Sequence, residues 1–150
     1  MRPAVDLAHA TGRGIFVLAL TSNPEGAAVQ HAVLDGQSVA GHVVAGATAD
    51  NAEARSRDEL GSVGLVVGAT VGDAVQRLGL DLAGMGGPFL APGVGAQGGT
   101  AGSLRRVFGS ALPNVLAASS REVLGAGPTV AALAARAGET AAALAETLRL

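Results

Sequence analysis

Residues 14–25 read GIFVLALTSNPE and predict a strand that leads directly into a helix. The first seven residues form an apolar run without alternation, which is typical of a strand covered on both faces in a parallel sheet. A helix start follows, because Asn23 can cap free amides, Pro24 suits the first helical position, and Glu25 faces the positive end of the helix dipole. This stretch therefore predicts one βα unit.

The same order of strand and helix recurs three times along the chain. Apolar runs stand at residues 63–68 (VGLVVG), 88–91 (PFLA) and 114–118 (NVLAA), each followed by polar or glycine-rich residues and a helical pattern. After the first of these runs, Thr70 and Asp73 have the spacing of an acidic capping box. The repeats predict a fold of the α/β class.

Helical patterns fill the remaining segments. In the long first connection, the apolar positions of residues 37–57 fall on one helical face, and residues 3–11 resemble the tail of a helix. The segment from Thr129 onward predicts a last helix, which Gly138 could bend or interrupt. Four parallel strands would have two unpaired edges, which barrel closure or a further chain normally removes. We therefore expect residues 1–150 to form one domain that is incomplete by itself.

Composition narrows the classes of partner. Hydrophobic residues make up 49% of the chain, without the run of about 18 apolar residues that would cross a bilayer. A net charge of −2 without a basic block, and three phenylalanines without Trp or Tyr, disfavour nucleic-acid binding. The absence of cysteine and of an apolar secretory segment fits a cytoplasmic protein. We expect no interaction with membranes or nucleic acids.

The residue types of metal and nucleophile chemistry are missing or scattered. His9, His31 and His42 share no metal-ligand spacing, and the chain has neither a G-x-S-x-G elbow nor a cysteine. All ten basic residues are arginine, so a mechanism that needs lysine must obtain it from elsewhere. We predict no metal, no cofactor and no catalytic residue among these 150 residues.

Residues 90–100 (LAPGVGAQGGT) stand directly after a predicted strand and before a predicted helix. Their glycines would let backbone amides converge on an anion, and the positive end of the next helix would attract phosphate. The glycines are Gly93, Gly95, Gly98 and Gly99. Gln97 could bridge the phosphate and a neighbouring polar group. An isolated pattern of this kind is more often a structural turn, but the carboxyl end of a barrel strand favours ligand binding.

Polar residues also follow the other predicted strands. Arg121, after the last strand, could give a phosphate bidentate hydrogen bonds; the alternative is a surface pair with Glu122 or another carboxylate. Thr21, Ser22 and Asn23 follow the first strand and can hydrogen-bond a heterocycle or sugar, or serve only as helix caps. Thr70 stands at the corresponding place one unit later, where it lines a pocket or caps a helix.

Four motifs occur in one order: TSNPEG at 21–26, VVGAT at 66–70, APGVGAQGG at 91–99 and SSREVLGAGP at 119–128. Together they resemble the orotidine 5'-phosphate decarboxylase family, most closely its bacterial, actinobacterial-like group. The resemblance covers essentially the whole chain, and the four motifs together are far more specific than any one. It implies the last four βα units of a TIM (β/α)8 barrel.

The resemblance also implies an activity and residue roles. The family converts orotidine 5'-phosphate to uridine 5'-phosphate and carbon dioxide in pyrimidine biosynthesis. Gln97, its glycine neighbours and Arg121 would hold the phosphate of this nucleotide. Ser22 or Thr21 would contact the pyrimidine, and Pro92 lies where the family packs the pocket beside the base.

One departure concerns the chemistry. The family's decarboxylation depends on a lysine and aspartate network after the second and third strands, which would precede Met1, and this chain has no lysine. Without that network the transition state loses its stabilisation, so we expect the chain alone to be inactive. The alternatives are a noncatalytic phosphate-binding half-barrel that pairs with a copy of itself or with a complementary half, and another phosphate-binding barrel.

Overall fold

The computed structural model describes residues 2–148, which form a four-stranded parallel sheet, helices and a small hairpin. The helices are α1 (Arg2–Ala10), α2 (Pro24–Gln30), α3 (Val39–Asp50), α4 (Ala52–Ser56), α5 (Ala74–Arg77), α6 (Ala101–Phe108), α7 (Arg121–Leu124) and α8 (Val130–Leu148). The strands are β1 (Ile15–Leu20), β2 (Val33–Leu34), β3 (Gln37–Ser38), β4 (Val63–Val67), β5 (Phe89–Pro92) and β6 (Val115–Ala118). Short 3-10 helices cover Ala83–Met85 and Gly109–Asn114. None of the helices in this described part is long and apolar enough to cross a membrane.

The main sheet has the order β1-β4-β5-β6, and every pair of neighbours is parallel. The four strands lie where the four apolar runs predicted them, so the prediction of repeated βα units is confirmed. When parallel strands follow one another in chain order and every crossover has the same handedness, all the connecting helices lie on one face of the sheet. This is the arrangement of a (β/α)8 barrel, in contrast to a doubly wound sheet with helices on both faces.

The hydrophobic core lies between the sheet and those helices. Leu65 of β4 and Phe89 of β5 are 0% exposed, and the ring of Phe89 packs against that of Phe108 in α6 with centroids 5.6 Å apart. The tilt of 55° between the rings is a favourable aromatic geometry. Burial of these large side chains is the main term that holds α6 to the sheet.

The opposite face of the sheet is open within the described residues. Phe16, Leu18 and Leu116 point to it, since the pairing register aligns Leu18 with Val66, Leu90 and Leu116 across all four strands. These three side chains are 41%, 57% and 54% exposed. The sequence predicted that β1 is covered on both faces. The described residues cover only one face of this strand.

The long first connection differs from the single helix predicted for residues 37–57. After α2 it contains a β2–β3 hairpin whose turn residues, Asp35 and Gly36, both have left-handed backbone angles of φ 52° and 80°. This conformation suits a two-residue Asp-Gly turn, a signal that the helical pattern obscured. The helical part is divided at Asn51 into α3 and α4.

Asn51 accounts for the division between α3 and α4, because its side chain hydrogen-bonds to the sheet. It is 1% exposed, accepts a hydrogen bond from the Val63 amide at 3.1 Å and donates to the Val63 carbonyl at 2.8 Å. It also donates to the Met85 carbonyl at 3.3 Å. Polar groups of a buried amide require such partners, so Asn51 pins the connection to the start of β4.

Two predictions about helix starts and one about a helix interior are corrected, and two helices are confirmed. Thr70 and Asp73 form no capping box, because the chain turns at residues 68–71 and α5 begins only at Ala74, with Asp73 as its N-cap. Asn23 is the N-cap of α2, with Pro24 first in the helix as predicted, but its side chain makes no capping hydrogen bond. The last helix is uninterrupted at Gly138. Helices α1 and α8 are found where they were predicted.

Candidate functional site

The loops that follow the four parallel strands meet at the carboxyl edge of the sheet. Thr70, after β4, donates a 2.8 Å hydrogen bond from its hydroxyl to the hydroxyl of Ser22, after β1. The Ala69 amide donates to the Pro92 carbonyl at the end of β5, at 2.9 Å. These bonds tie three successive loops together at the edge where barrels bind their ligands.

The loop after β1 is held by its own polar groups. The buried side chain of Gln30 accepts from the Thr21 amide at 2.9 Å and donates to the Thr21 hydroxyl at 2.8 Å. Thr21 in turn donates to Asn23, whose amide group donates to Glu25 at 3.3 Å. The Glu25 backbone amide and then this Asn23 bond hold the pKa of the Glu25 carboxyl below its usual value. Thr21 and Asn23 are thus engaged within the loop, whereas the Ser22 side chain is exposed at the edge.

Gln97 folds back toward the start of the glycine-rich loop. A Cβ built at Gly93 would lie 3.5 Å from the Gln97 carbonyl oxygen Oε1 and 3.6 Å from the Thr70 hydroxyl oxygen. The structure therefore brings together Ser22, Thr70, Gly93 and Gln97, four of the predicted site residues. Pro92 is half-buried directly before this cluster.

Most glycine amides of this loop are used inside the loop. The amides of Gly95, Gly98 and Gly99 donate to the carbonyls of Gly99, Gly95 and Gly93 at 3.0, 2.7 and 2.9 Å. They shape the turn in this conformation and do not converge on a common point outside it. The amides of Ala96 and Gln97, at the exposed tip, have no hydrogen-bond acceptor among residues 2–148. These two tip amides are the backbone donors best placed for an anion.

The segment after β6 adjoins the glycine-rich loop through Glu122. A Cβ built at Gly95 would lie 2.6 Å from the Glu122 carboxylate oxygen Oε2, and Gly95 has a left-handed φ of +78°. Arg121 precedes this residue as the first residue of α7, and its side chain is exposed. The last two loops of the sheet are therefore neighbours, and the role of Arg121 as a phosphate ligand stays a prediction.

Two residues of this region were not singled out in the sequence. Gln30 lies at the end of α2 and orients Thr21. In the sequence, the only indication of this role was a polar side chain at a buried helix position. Glu122 was considered only as an ion-pair partner of Arg121, whereas it contacts Gly95 and pairs with Arg136. Among the described residues, no group of three His, Asp or Glu side chains is arranged to hold a metal ion.

The sheet order, the helices on one face and the polar loops at the carboxyl edge define the class of this protein. It is a portion of a TIM (β/α)8 barrel, comprising four of its strands.

Comparison with known proteins identifies the family within that class. Residues 1–136 match the family described as orotidine 5'-phosphate decarboxylase / HUMPS, and the chain belongs to this family. It is 59% identical over 138 residues to an orotidine 5'-phosphate decarboxylase of Salinispora arenicola, an alignment that covers 91% of this chain and 47% of the relative. A Streptomyces coelicolor relative of the same name is 56% identical over 134 residues, covering 89% of this chain and 46% of the relative.

Solved structures give the same result for the fold. A Streptomyces avermitilis protein assigned as an orotidine 5'-phosphate decarboxylase superposes with a TM-score of 0.85 at 49% identity, over 98% of this chain and 50% of the other. The chain thus spans about half the length of the relatives that it matches. The resemblance drawn from the four motifs is confirmed at the level of family and fold.

Proposed function

We propose that this chain supplies the phosphate- and nucleoside-binding half of an orotidine 5'-phosphate decarboxylase. The observation that carries the proposal is the cluster of Ser22, Thr70 and Gln97 around Gly93 at the carboxyl edge of a barrel sheet. Its hydroxyl and amide groups suit a nucleotide, since they offer both donors and acceptors. Membership in the family supports the reaction class, which is the loss of carbon dioxide from orotidine 5'-phosphate.

In this proposal the phosphate binds at the tip of the glycine-rich loop. The amides of Ala96 and Gln97, the Gln97 side chain and the Arg121 guanidinium are its donors, because hydrogen bonds to a dianion are strongest from charged or preorganised groups. The glycines at 93, 95, 98 and 99 act by allowing the turn that presents these donors. Ser22 and Thr70 contact the pyrimidine or ribose, with Thr21 and Asn23 supporting their loop and Pro92 packing beside the base.

The 150 residues alone are proposed to bind without catalysing. They contain no lysine, so the proton donor and the charged network of the family's chemistry must come from other polypeptide. Binding energy spent equally on substrate and transition state does not accelerate a reaction.

The test is a calorimetric titration of the chain with uridine 5'-phosphate, inorganic phosphate and uridine. Uridine 5'-phosphate should bind most tightly, and Arg121→Ala should weaken it by about tenfold to a hundredfold. Uridine that binds as well as its 5'-phosphate would contradict the phosphate assignment. Ribose 5-phosphate that binds as well as uridine 5'-phosphate would instead favour another phosphate-binding barrel. Carbon dioxide released from orotidine 5'-phosphate above background would overturn the prediction of inactivity.

A second function is favoured by the open face of the sheet. Phe16, Leu18 and Leu116 form an exposed apolar surface on that face, and β1 and β6 are the outer strands of the sheet. Unpaired edges and apolar surface are removed when strands close into a barrel. The alternative proposal is therefore a half-barrel that assembles with a copy of itself or with a complementary half. Light scattering after size-exclusion chromatography tests self-assembly, and a monomer at all concentrations would exclude it.

A further inference from the structure

Glu122 links the glycine-rich loop to the last helix of the chain. One carboxylate oxygen, Oε2, occupies the space where a side chain at Gly95 would begin, 2.6 Å from the built Cβ. The other oxygen, Oε1, lies 3.8 Å from the guanidinium of Arg136 in α8. Arg136 also pairs with Glu139 at 3.4 Å. The chain of contacts therefore runs from α8 through Glu122 to the loop.

The negative charge of Glu122 would weaken the binding of an anion at the neighbouring loop unless a cation offsets it. Glu122 packs against the loop that is proposed to hold a phosphate dianion, so the two negative charges would repel each other. Its side chain is only 34% exposed, so solvent and salt screen it less than a fully exposed group. Arg136 is the cation that the structure places on this carboxylate.

A second three-residue ion cluster in the chain provides a comparison. Arg57 pairs with Glu53 at 2.7 Å and with Glu59 at 2.9 Å, and their side chains are 52%, 86% and 59% exposed. That cluster lies before β4, at the opposite end of the sheet from the candidate site. Exposed pairs of this kind contribute little to stability. The shielded position of Glu122 against Gly95 distinguishes the Arg136 cluster from it.

We propose that Glu122 and Arg136 are positioning residues of the anion-binding loop, an inference that rests on the proposed phosphate site. Glu122 shapes the loop by filling the space beside Gly95. Arg136 holds the Glu122 carboxylate in this position through their ion pair and offsets part of its negative charge beside the phosphate. Arg136 acts through Glu122 and does not touch the phosphate itself.

The binding test is a double-mutant cycle with inorganic phosphate and uridine 5'-phosphate as probes. Arg136→Ala should weaken binding of both by about threefold to tenfold, and Arg136→Lys should restore most of it. In the Glu122→Gln background the same Arg136→Ala change should alter binding by less than about twofold, because Arg136 then has no carboxylate at position 122 to hold in place. Arg57→Ala is the matched control and should have no effect. An equal loss from Arg136→Ala in both backgrounds would overturn the proposal.

A measurement without ligand separates this inference from the proposed function. If the wild-type chain binds neither probe, the proposed phosphate site is wrong. Hydrogen exchange of the Gly95, Gly98 and Gly99 amides then tests separately whether Glu122 positions the loop. These amides close the loop, so Glu122→Ala should speed their exchange, while Glu122→Gln, which keeps the shape, should leave it near that of the wild type. Unchanged exchange in Glu122→Ala would refute the positioning role whether or not ligand binds.

Discussion

The hydroxyl of Thr70 donates a 2.8 Å hydrogen bond to the hydroxyl of Ser22, joining two loops that are 48 residues apart in the chain. Each hydroxyl keeps further hydrogen-bonding capacity, because a hydroxyl has one donor and two acceptor lone pairs. Ser22 is exposed and Thr70 half-buried, so both remain within reach of a ligand in the crevice. The pair orients the loop after β1 relative to that after β4.

Replacement of Thr70 by valine should weaken nucleotide binding while leaving the fold intact. Thr70→Val keeps the shape but removes the donor to Ser22, and one hydrogen bond is worth about 1 kcal/mol, or roughly a fivefold loss of affinity. Thr48→Val is the matched control, since the Thr48 hydroxyl donates to Val44 within α3, away from the site. Calorimetry with uridine 5'-phosphate checks this, and an affinity equal to that of the wild type would remove Thr70 from the site.

Two glycines of the same loop should respond differently to alanine. Gly95→Ala places a Cβ 2.6 Å from Glu122 in a left-handed conformation, whereas Gly98→Ala, with φ of +87°, meets no heavy atom within 4 Å. Gly98→Ala should therefore cost only the backbone strain of about 1 kcal/mol in unfolding free energy, and Gly95→Ala about 2 kcal/mol or more. Urea unfolding measures both. Adding Glu122→Ala to Gly95→Ala should recover part of the difference, and equal costs for the two single variants would argue against the Glu122 contact.

Asn51→Ala should be the most destabilising polar substitution in this set. It leaves the Val63 amide and carbonyl without their side-chain partner in a buried position, where each lost hydrogen bond costs about 1–3 kcal/mol. We expect a loss of about 3 kcal/mol in the free energy of unfolding. Asn114→Ala, at a half-buried asparagine, serves as the control. Similar urea midpoints for the two variants would show that the Asn51 bonds do not hold the connection.

Alanine at Gly138 should stabilise the chain. Gly138 lies in the middle of α8, and a Cβ there meets no heavy atom within 4 Å. Because glycine is about 1 kcal/mol worse than alanine inside a helix, Gly138→Ala should raise the melting temperature. Gly72→Ala, also in open space but with φ of +65°, should lower it. A fall in melting temperature for Gly138→Ala would indicate that α8 bends at this glycine.

The Asp73 carboxylate should titrate below its ordinary pKa. A hydrogen bond from Arg77 at 2.9 Å is the main cause that lowers the pKa of Asp73. A carboxyl whose pKa is depressed by folding stabilises the protein above its unfolded pKa, and this contribution disappears as the pH falls through the folded pKa. NMR titration of the Asp73 carboxyl carbon should show the lower pKa, and Arg77→Gln should return it toward the unfolded value. An unchanged pKa in that variant would mean that the pair does not persist in solution. Both groups are exposed, so the effect on global stability should be small.

Most of the fold could be predicted because its signals are local. The apolar runs that became β1, β4, β5 and β6 and the helical patterns at both ends of the chain depend on residues within one window. The β2–β3 hairpin was missed although Asp35 and Gly36 carry a turn signal, because the helical periodicity that follows was extended too far. The Thr70–Asp73 spacing misled, since a capping box also requires the helix to start directly after Thr70, whereas α5 starts at Ala74.

The sequence by itself determined the βα units, the family and the residue types available for binding, because periodicity, turn chemistry and motif order are properties of neighbouring residues. Only the tertiary structure decided that the Thr70 hydroxyl hydrogen-bonds to that of Ser22, that Glu122 packs against Gly95, and that the Asn51 side chain hydrogen-bonds to the start of β4. These contacts depend on strand order and register, which bring together residues tens of positions apart through burial and hydrogen bonding that no local pattern encodes.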